Sequence, residues 1–471
     1  HYLYNGAFAH LIGYVGEVNE KDIKDSAVNE KYVLHDNIGK YGLERAHEGE
    51  LKGQDGGKSI EVDAHGRKIR VVNWTAPYPG NSMRLTVDLN TQLAAANALK
   101  DRAGAAIALE LSSGRILAMV SSPSFDPNGL STGISKDEWN ELIGNPFDIL
   151  NNRAIQGLYP PASTFKPIHA AAALEEETIT PETRIYSGPA FRFAGRDYRD
   201  WKEEGHGTIN VHKAIVESSD TFFYQVGLKL GVDTLAKYSR LFGFGAKTGI
   251  NLANEKSGIV PSSAWKNKVY GAKWFDGETI SVSVGQGYML ATPLQLANAY
   301  AAIANNGTLY VPQAVEEIIT PAGTVIKSFT PKVLSHLGID KSTLLHVKEA
   351  LHGVTHEDGG TARFLSAANL GIAGKTGTAQ VTKLIMRTKN IQSIPYKFRD
   401  HAWFAGFAPY DDPKIVVVVI VEHGGFGASA AAPVAREIFK AYLGKPSEGS
   451  GAVSEPRVIK ASTETDEAAY D

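Results

Sequence analysis

Residues 401–409, HAWFAGFAP, and 414–422, KIVVVVIVE, carry the reading that decides the fold. Ile415 to Val421 is the longest apolar run in the chain and has the length of a buried strand, far short of the roughly 20 residues a membrane span requires. Strand text also surrounds Lys375 in GIAGKTGTAQV, residues 371–381. In AAIALELSSGRILAMVSS, residues 105–122, two apolar runs flank a Ser-Ser-Gly-Arg turn suited to a hairpin. A helix from Pro433 to Leu443 closes the pattern: Val434, Ile438 and Tyr442 recur at helical spacing, and Gly444 and Pro446 stop it. Strands at both ends of a domain with helices between them predict an α+β fold. The expected core is an antiparallel sheet closed by sequence-distant pieces, flanked by helices and carrying an inserted helical lobe.

Working outward, the stretch from about 150 to 365 reads mostly as helices and loops, and TPLQLANAYAAIANNG, residues 292–307, is a helix ended by Asn-Gly. Upstream, Met83, Leu85, Val87 and Leu89 alternate as a half-buried strand leading into a helix through TQLAAANALKDRA. Residues 1–80 are mixed and charged, with a strand-like KSIEVDAHGRKIRVV at 58–72, and are expected to form a partial, β-containing accessory domain. The main domain is expected over 81–446, and the polar, aperiodic residues 447–471 as a flexible tail.

Composition narrows the function. The chain has 471 residues, 43% hydrophobic and 21% charged, with a formal charge of -3, which makes no electrostatic case for a nucleic-acid partner. Cysteine is absent, which excludes disulfides, thiol catalysis and Cys-rich zinc sites. The opening residues HYLYNGAFAHLIGYVG show neither a basic n-region, a signal-type apolar segment nor an initiator Met, so the chain reads as truncated.

LYPPASTFKPIHAAAALEEE, residues 158–177, places Ser163 and Lys166 three apart where a proline-containing loop enters an apolar helical run, and that spacing sets both side chains on one face. A serine hydroxyl becomes a nucleophile when a base takes its proton, and a lysine amine serves if burial and neighbouring charge favour its neutral form. The helix start adds free N–H groups for an oxyanion. Chance alone supplies roughly two Ser-x-x-Lys matches in such a chain. The other, Ser263 to Lys266, follows Pro261 and reads as a helix N-cap with a solvated lysine. AIVESSDTFFYQVG offers Ser218 as a proton-relay hydroxyl beside Asp220, which also reads as the N-cap of a helix starting at Thr221.

Lys-Thr-Gly occurs twice. Lys247 to Gly249 lies in glycine-rich turn text, where the lysine is expected to face solvent. Lys375, Thr376 and Gly377 lie in strand text, followed by Thr378, and such an edge offers an anionic acyl substrate a cation, hydroxyls and a backbone N–H. Gly377 leaves room for close backbone approach.

Ser-x-x-Lys, a middle Ser motif and Lys-Thr-Gly in this order form the motif set shared by penicillin-binding proteins and class A β-lactamases. The strings YPPASTFKP, YRDWKEEGHG, ESSDTFFYQVG, VGQGYMLATPLQLANAYAAIANNG and GKTGTAQV narrow the likeness, which covers nearly the whole chain to about Pro446. The chain resembles the class B penicillin-binding proteins and, within them, the penicillin-binding protein 2 branch of the elongation machinery. The resemblance implies the transpeptidase fold with a partial pedestal domain, and peptidoglycan D,D-transpeptidation blocked covalently by β-lactams. It implies Ser163 as nucleophile, Lys166 as base, Ser218 as relay, and an oxyanion hole from the N–H groups of Ser163 and Thr378. Asp220, Lys375, Thr376, Gly377 and Thr378 would bind the substrate. No cofactor is implied. The implied partners are stem peptides, β-lactams, a membrane glycosyltransferase and other elongation proteins. The implied location is the inner membrane, with an anchor in the full-length protein and this portion in the periplasm.

The chain departs from the family's pattern in places. Ala162 replaces a usual Gly, and Asp220 a common Asn. Some relatives hold zinc through two Asp, a His and a Cys; Asp200 and His206 match, but Ser187 and Ser219 stand at the other positions, and hydroxyls are poor zinc ligands, so no tight zinc site is expected. Two other readings share the motifs: a serine β-lactamase or D,D-carboxypeptidase that passes the acyl group to water, and a non-catalytic β-lactam sensor or assembly scaffold.

Overall fold

The computed structural model describes residues 1–23, 32, 36–381 and 393–444. The expected tail and the Pro446 stop lie outside the described residues. The core is a five-stranded antiparallel sheet of β1 (Gly104–Glu110), β2 (Ile116–Ser122), β3 (Ala373–Ala379), β4 (His401–Ala408) and β5 (Ile415–Val421), in spatial order β3-β4-β5-β1-β2. The sheet is thus closed by distant parts of the chain, with the β1–β2 hairpin where the Ser-Ser-Gly-Arg turn places it.

Every residue of β5 is buried, because helices cover both faces of the sheet. This explains a continuous apolar run where one-sided burial would give alternation. The helix α1 (Leu89–Ala98), capped by Asp88 onto the Thr91 N–H, packs on one face; α2 (Lys166–Glu175), α3 (Val211–Val216) and α4 (Asp220–Leu230) belong to the inserted lobe. The opposite face carries α5 (Pro293–Ala304), started by a Thr292–Gln295 capping box, while α6 (Lys341–His356) lies against β3. The last helix, α7 (Gly427–Leu443), joins α1. It begins six residues before the expected Pro433, which sits inside it: a helix tolerates proline best in its first turn, but this one absorbs it further along.

The middle stretch is less purely helical than expected. It also holds short antiparallel pairs, including Ile185–Ser187 with Gly207–Ile209 and Ala190–Phe193 with Arg196–Arg199. The expected strand from Met83 ends at Leu85 and pairs with Val315–Ile319. In the N-terminal region, Gly57–Val62 and Lys68–Thr75 form an exposed hairpin, whereas Leu11 and Leu43 enter the main core. Among the described residues no helix is long and apolar enough to cross a membrane.

Candidate active site

Ser163 is half-buried in a 3-10 turn, Ala162–Phe165, that runs into α2. Residues three apart eclipse one another in such a turn, so Ser163 and Lys166 share a face as their spacing implies. Ala162 has φ +50°, a conformation L-residues seldom adopt, and the turn is held from outside. The Ala162 N–H donates to Gly285 O at 2.8 Å, Tyr300 Oη to Thr164 O at 2.8 Å, and Trp403 Nε1 to Pro160 O at 3.0 Å. Gly285 is required here, because a Cβ would stand 2.4 Å from Ala162 O.

Lys166 is fully buried. Its Nζ donates to Ser218 O at 2.7 Å, to Asp220 Oδ1 at 2.7 Å and, more weakly, to Ser218 Oγ at 3.3 Å. Ser218 occupies the link between α3 and α4 with φ +59°. Burial lifts the Asp220 carboxyl above its ordinary range; Lys166 pulls it down and Asp200 pushes it up again. Asp220 is not the N-cap. Ser219 caps α4 through the Phe222 N–H, and Asp220, one residue later, turns its carboxylate to Lys166 because an opposite buried charge is the stronger partner.

Lys375 enters from β3, the outer strand of the sheet, paired with Ala405 on β4. Its side chain is fully buried, and burial, followed by the nearby Lys166, pushes its ammonium well below the ordinary lysine range. Nζ donates to Thr376 O at 3.3 Å, while the Thr376 and Thr361 hydroxyls lie 2.8 Å apart. Gly377 lies against the Ser163 turn: a Cβ there would meet Thr164 Cγ2 at 3.1 Å and Pro161 O at 3.3 Å. Thr378 is partly exposed beside it. The fold therefore gathers Ser163 and Lys166, Ser218 and Asp220, and the Lys375 strand from three separate stretches.

The other matches fall elsewhere. Lys247 is exposed in an irregular loop just after the turn at Phe242–Gly245. Lys266 is not the solvated lysine expected: it is 5% exposed, and Nζ donates to Glu278 Oε1 at 2.6 Å and Oε2 at 2.5 Å; the helix cap is Ser262. A partner twelve residues away leaves no local signal.

Behind Ser218 lies a polar cluster. The Asp200 and His206 side chains have no exposed surface. His206 spans Asp200 Oδ1 at 3.0 Å and Glu217 Oε2 at 2.7 Å. Burial would raise Asp200, yet hydrogen bonds from His206 and the Thr221 N–H hold it well below the usual carboxylate range. Glu217 was missed in the sequence, although an acidic residue next to Ser218 and a His-bearing loop were its available signals. Ser187 and Ser219 lie in the same cluster, but as a hydrogen-bonded knot: their hydroxyls are 2.5 Å apart, Ser187 Oγ is also 2.7 Å from Thr221 Oγ1, and Asp200 Oδ2 accepts from Ser219 Oγ, the Asp220 and Thr221 N–H groups and Thr221 Oγ1. The residues present do not fit a zinc ion, which needs deprotonated ligands with free lone pairs.

A serine at a helix start, a buried lysine beside it and a cation-bearing strand edge across the cleft define an active-serine acyl-transfer enzyme. The chain belongs to the penicillin-binding protein transpeptidase family: the model of the penicillin binding protein transpeptidase domain matches residues 104–440, and that of the penicillin-binding protein dimerisation domain residues 1–85. It is 40% identical over 446 residues to the peptidoglycan D,D-transpeptidase MrdA of Salmonella typhimurium strain SL1344, covering 93% of this chain and 71% of that protein. Pseudomonas aeruginosa PBP2 in complex with WCK 5153 superposes with TM-score 0.81 at 38% identity, over 94% of this chain and 90% of that one. PBP2 of Helicobacter pylori, solved in complex with MreC, gives TM-score 0.80 at 31% identity, over 94% and 78%.

Proposed function

We infer that the protein is a peptidoglycan D,D-transpeptidase of the elongation type, cross-linking stem peptides by serine acyl transfer and inhibited covalently by β-lactams. The observation that carries this reading is Lys166, buried at the junction of the Ser163 turn and the Ser218–Asp220 link. In the first step Ser163 Oγ attacks the carbonyl carbon of the penultimate D-Ala while its proton passes to neutral Lys166. Asp220 Oδ1, 2.7 Å from Lys166 Nζ, is the carboxylate that holds this amine in place for the transfer. The N–H groups of Ser163 and Thr378 stabilise the oxyanion. The C–N bond then breaks, Ser218 relays a proton to the departing D-Ala amine, and an ester on Ser163 remains. An amine of a second stem peptide attacks that ester, loses its proton through the same groups and frees Ser163.

Lys375, Thr376, Gly377 and Thr378 hold the terminal carboxylate. A desolvated ammonium gains more from an incoming anion than a solvated one, because the anion supplies the counter-charge that burial removed. By kinship with the MreC-bound relative and by the family resemblance, we place the protein on the periplasmic side of the inner membrane. There it works in rod-shape maintenance with an MreC-like partner, a membrane glycosyltransferase and other elongation proteins.

Fluorescent penicillin is the test. The parent should label covalently and keep the label for many minutes, and Ser163→Ala should not label at all. No labelling of the parent would sink the reading, rapid loss of label would convert it to a β-lactamase, and labelling of Ser163→Ala would mean another serine reacts.

A further inference from the structure

The Ser218 link carries both strong acceptors of Lys166, Ser218 O and Asp220 Oδ1, each at 2.7 Å on either side of Ser219. A small rotation of that link would displace both at once. Its φ of +59° at Ser218 is a conformation that persists only when the surroundings over-determine it. One end is tied to α3, with the Ser219 N–H donating to Ala214 O at 2.9 Å. The other end is tied by Asp200 Oδ2, which accepts from the Asp220 N–H at 2.8 Å and the Thr221 N–H at 2.9 Å, two of the free donors at the start of α4.

His206 closes the loop. Its two ring nitrogens face Asp200 and Glu217, and ionised carboxylates only accept, so both nitrogens donate. Glu217 immediately precedes Ser218, and Asp220 and Thr221 follow it. The path from Glu217 through His206 to Asp200 and on to the first N–H groups of α4 therefore encircles the Ser218 link. Trp201 Nε1 donates to Glu217 O at 3.1 Å, and Lys202 and Lys213 pair with the Glu217 carboxylate at 3.4 and 3.3 Å, which fixes that side of the ring.

We infer that Asp200 and His206 are positioning residues for acylation: without a metal ion, their hydrogen bonds set the Ser218 link so that Ser218 O and Asp220 hold the Lys166 amine at Ser163. The inference rests on the acyl-transfer reading above. The same cluster explains why serines suffice at 187 and 219, since hydroxyls that donate and accept complete a hydrogen-bonded knot as metal ligands could not.

The test is stopped-flow acylation of the full chain by a fluorescent penicillin, resolved into the pre-covalent dissociation constant and the first-order acylation rate constant, with thermal unfolding alongside. Asp200→Asn should lower the rate constant about 10- to 100-fold while leaving the dissociation constant within about threefold. His206→Gln, which keeps the Asp200 cap, should lower the same constant about 3- to 10-fold. If Asp200→Asn does not fold, His206→Gln and Glu217→Gln carry the test. Folded variants that melt earlier yet acylate at the parental rate would reduce the cluster to a structural role and overturn the inference, while the parent's labelling through Ser163 would leave the enzyme reading standing. Chelation of the parent with EDTA should change neither rate constant nor melting temperature; a loss reversed by zinc would also overturn it.

Discussion

Lys375 and Lys247 begin identical Lys-Thr-Gly triplets, yet the first ends in a fully buried ammonium on the outer strand of the main sheet and the second in an exposed side chain on an irregular loop. The two glycines differ in the same way. Gly249 has φ +86° and is needed for its conformation, whereas Gly377 is needed for proximity, since a Cβ would press on Thr164 and Pro161 beside Ser163. The threonines differ too: Thr376 shares its hydroxyl with Thr361, while Thr248 donates both its N–H and its Oγ1 to Glu255. The two triplets thus differ in what occupies their polar groups: the Thr248 and Gly249 donors are taken by the carboxylate of Glu255, whereas the Thr376 hydroxyl is shared only with Thr361 among the described residues.

The contrast breaks most directly at the lysines. Lys375→Met should lower penicillin acylation by about 100-fold or more, the scale of removing one charge-assisted contact to the reacting ligand, whereas Lys247→Met should stay within about twofold. Stability should move the other way. Burial depresses the Lys375 pKa in the folded state, so between the folded and unfolded values the unfolded chain binds more protons and stability rises with pH. The parent's melting temperature should therefore climb as pH rises towards the ordinary lysine range, and Lys375→Met should lose that slope without losing stability near neutrality. A variant with the slope intact would place the depressed ammonium elsewhere.

The glycines sharpen it. Gly377→Ala should push the Ser163 turn outward and slow acylation about tenfold with a small change in melting temperature, because its φ is unexceptional and only the approach is tight. Gly249→Ala should leave acylation unchanged and cost about 1 kcal/mol of stability, the strain of a side chain at positive φ. Equal acylation by the two variants would remove Gly377 from the cleft wall.

The sheet was legible in the sequence because its strands are buried on both faces, so β5 announces itself as seven apolar residues in a row. The separation of the two triplets was legible because glycine turn text and strand text differ locally. What stayed hidden depends on partners far along the chain. Gly285 under the Ser163 turn, the Lys266–Glu278 pair, and the return of residues 200–206 to Glu217 are set by packing, which leaves no periodicity. Locally Asp220 reads as a cap because that is the commoner use of the residue next to a helix start, and only the fold brings Lys166, 54 positions away, near enough to take its carboxylate instead.

Glu255 supplies an effect confined to stability and the cleanest separation of structure from chemistry. It is 6% exposed, and its carboxylate accepts from the Thr248 N–H at 2.7 Å, Thr248 Oγ1 at 2.5 Å and the Gly249 N–H at 3.3 Å. Glu255→Gln keeps the shape but removes the charge and turns one oxygen into a donor that faces donors, so about 1–3 kcal/mol of stability should be lost. Acylation of the folded protein should stay at the parental rate, because the same residues that satisfy Thr248 keep its triplet from offering anything to a ligand. If Glu255→Gln slowed acylation without lowering the melting temperature, the turn would be coupled to the cleft, and the division between the two triplets would have to be redrawn.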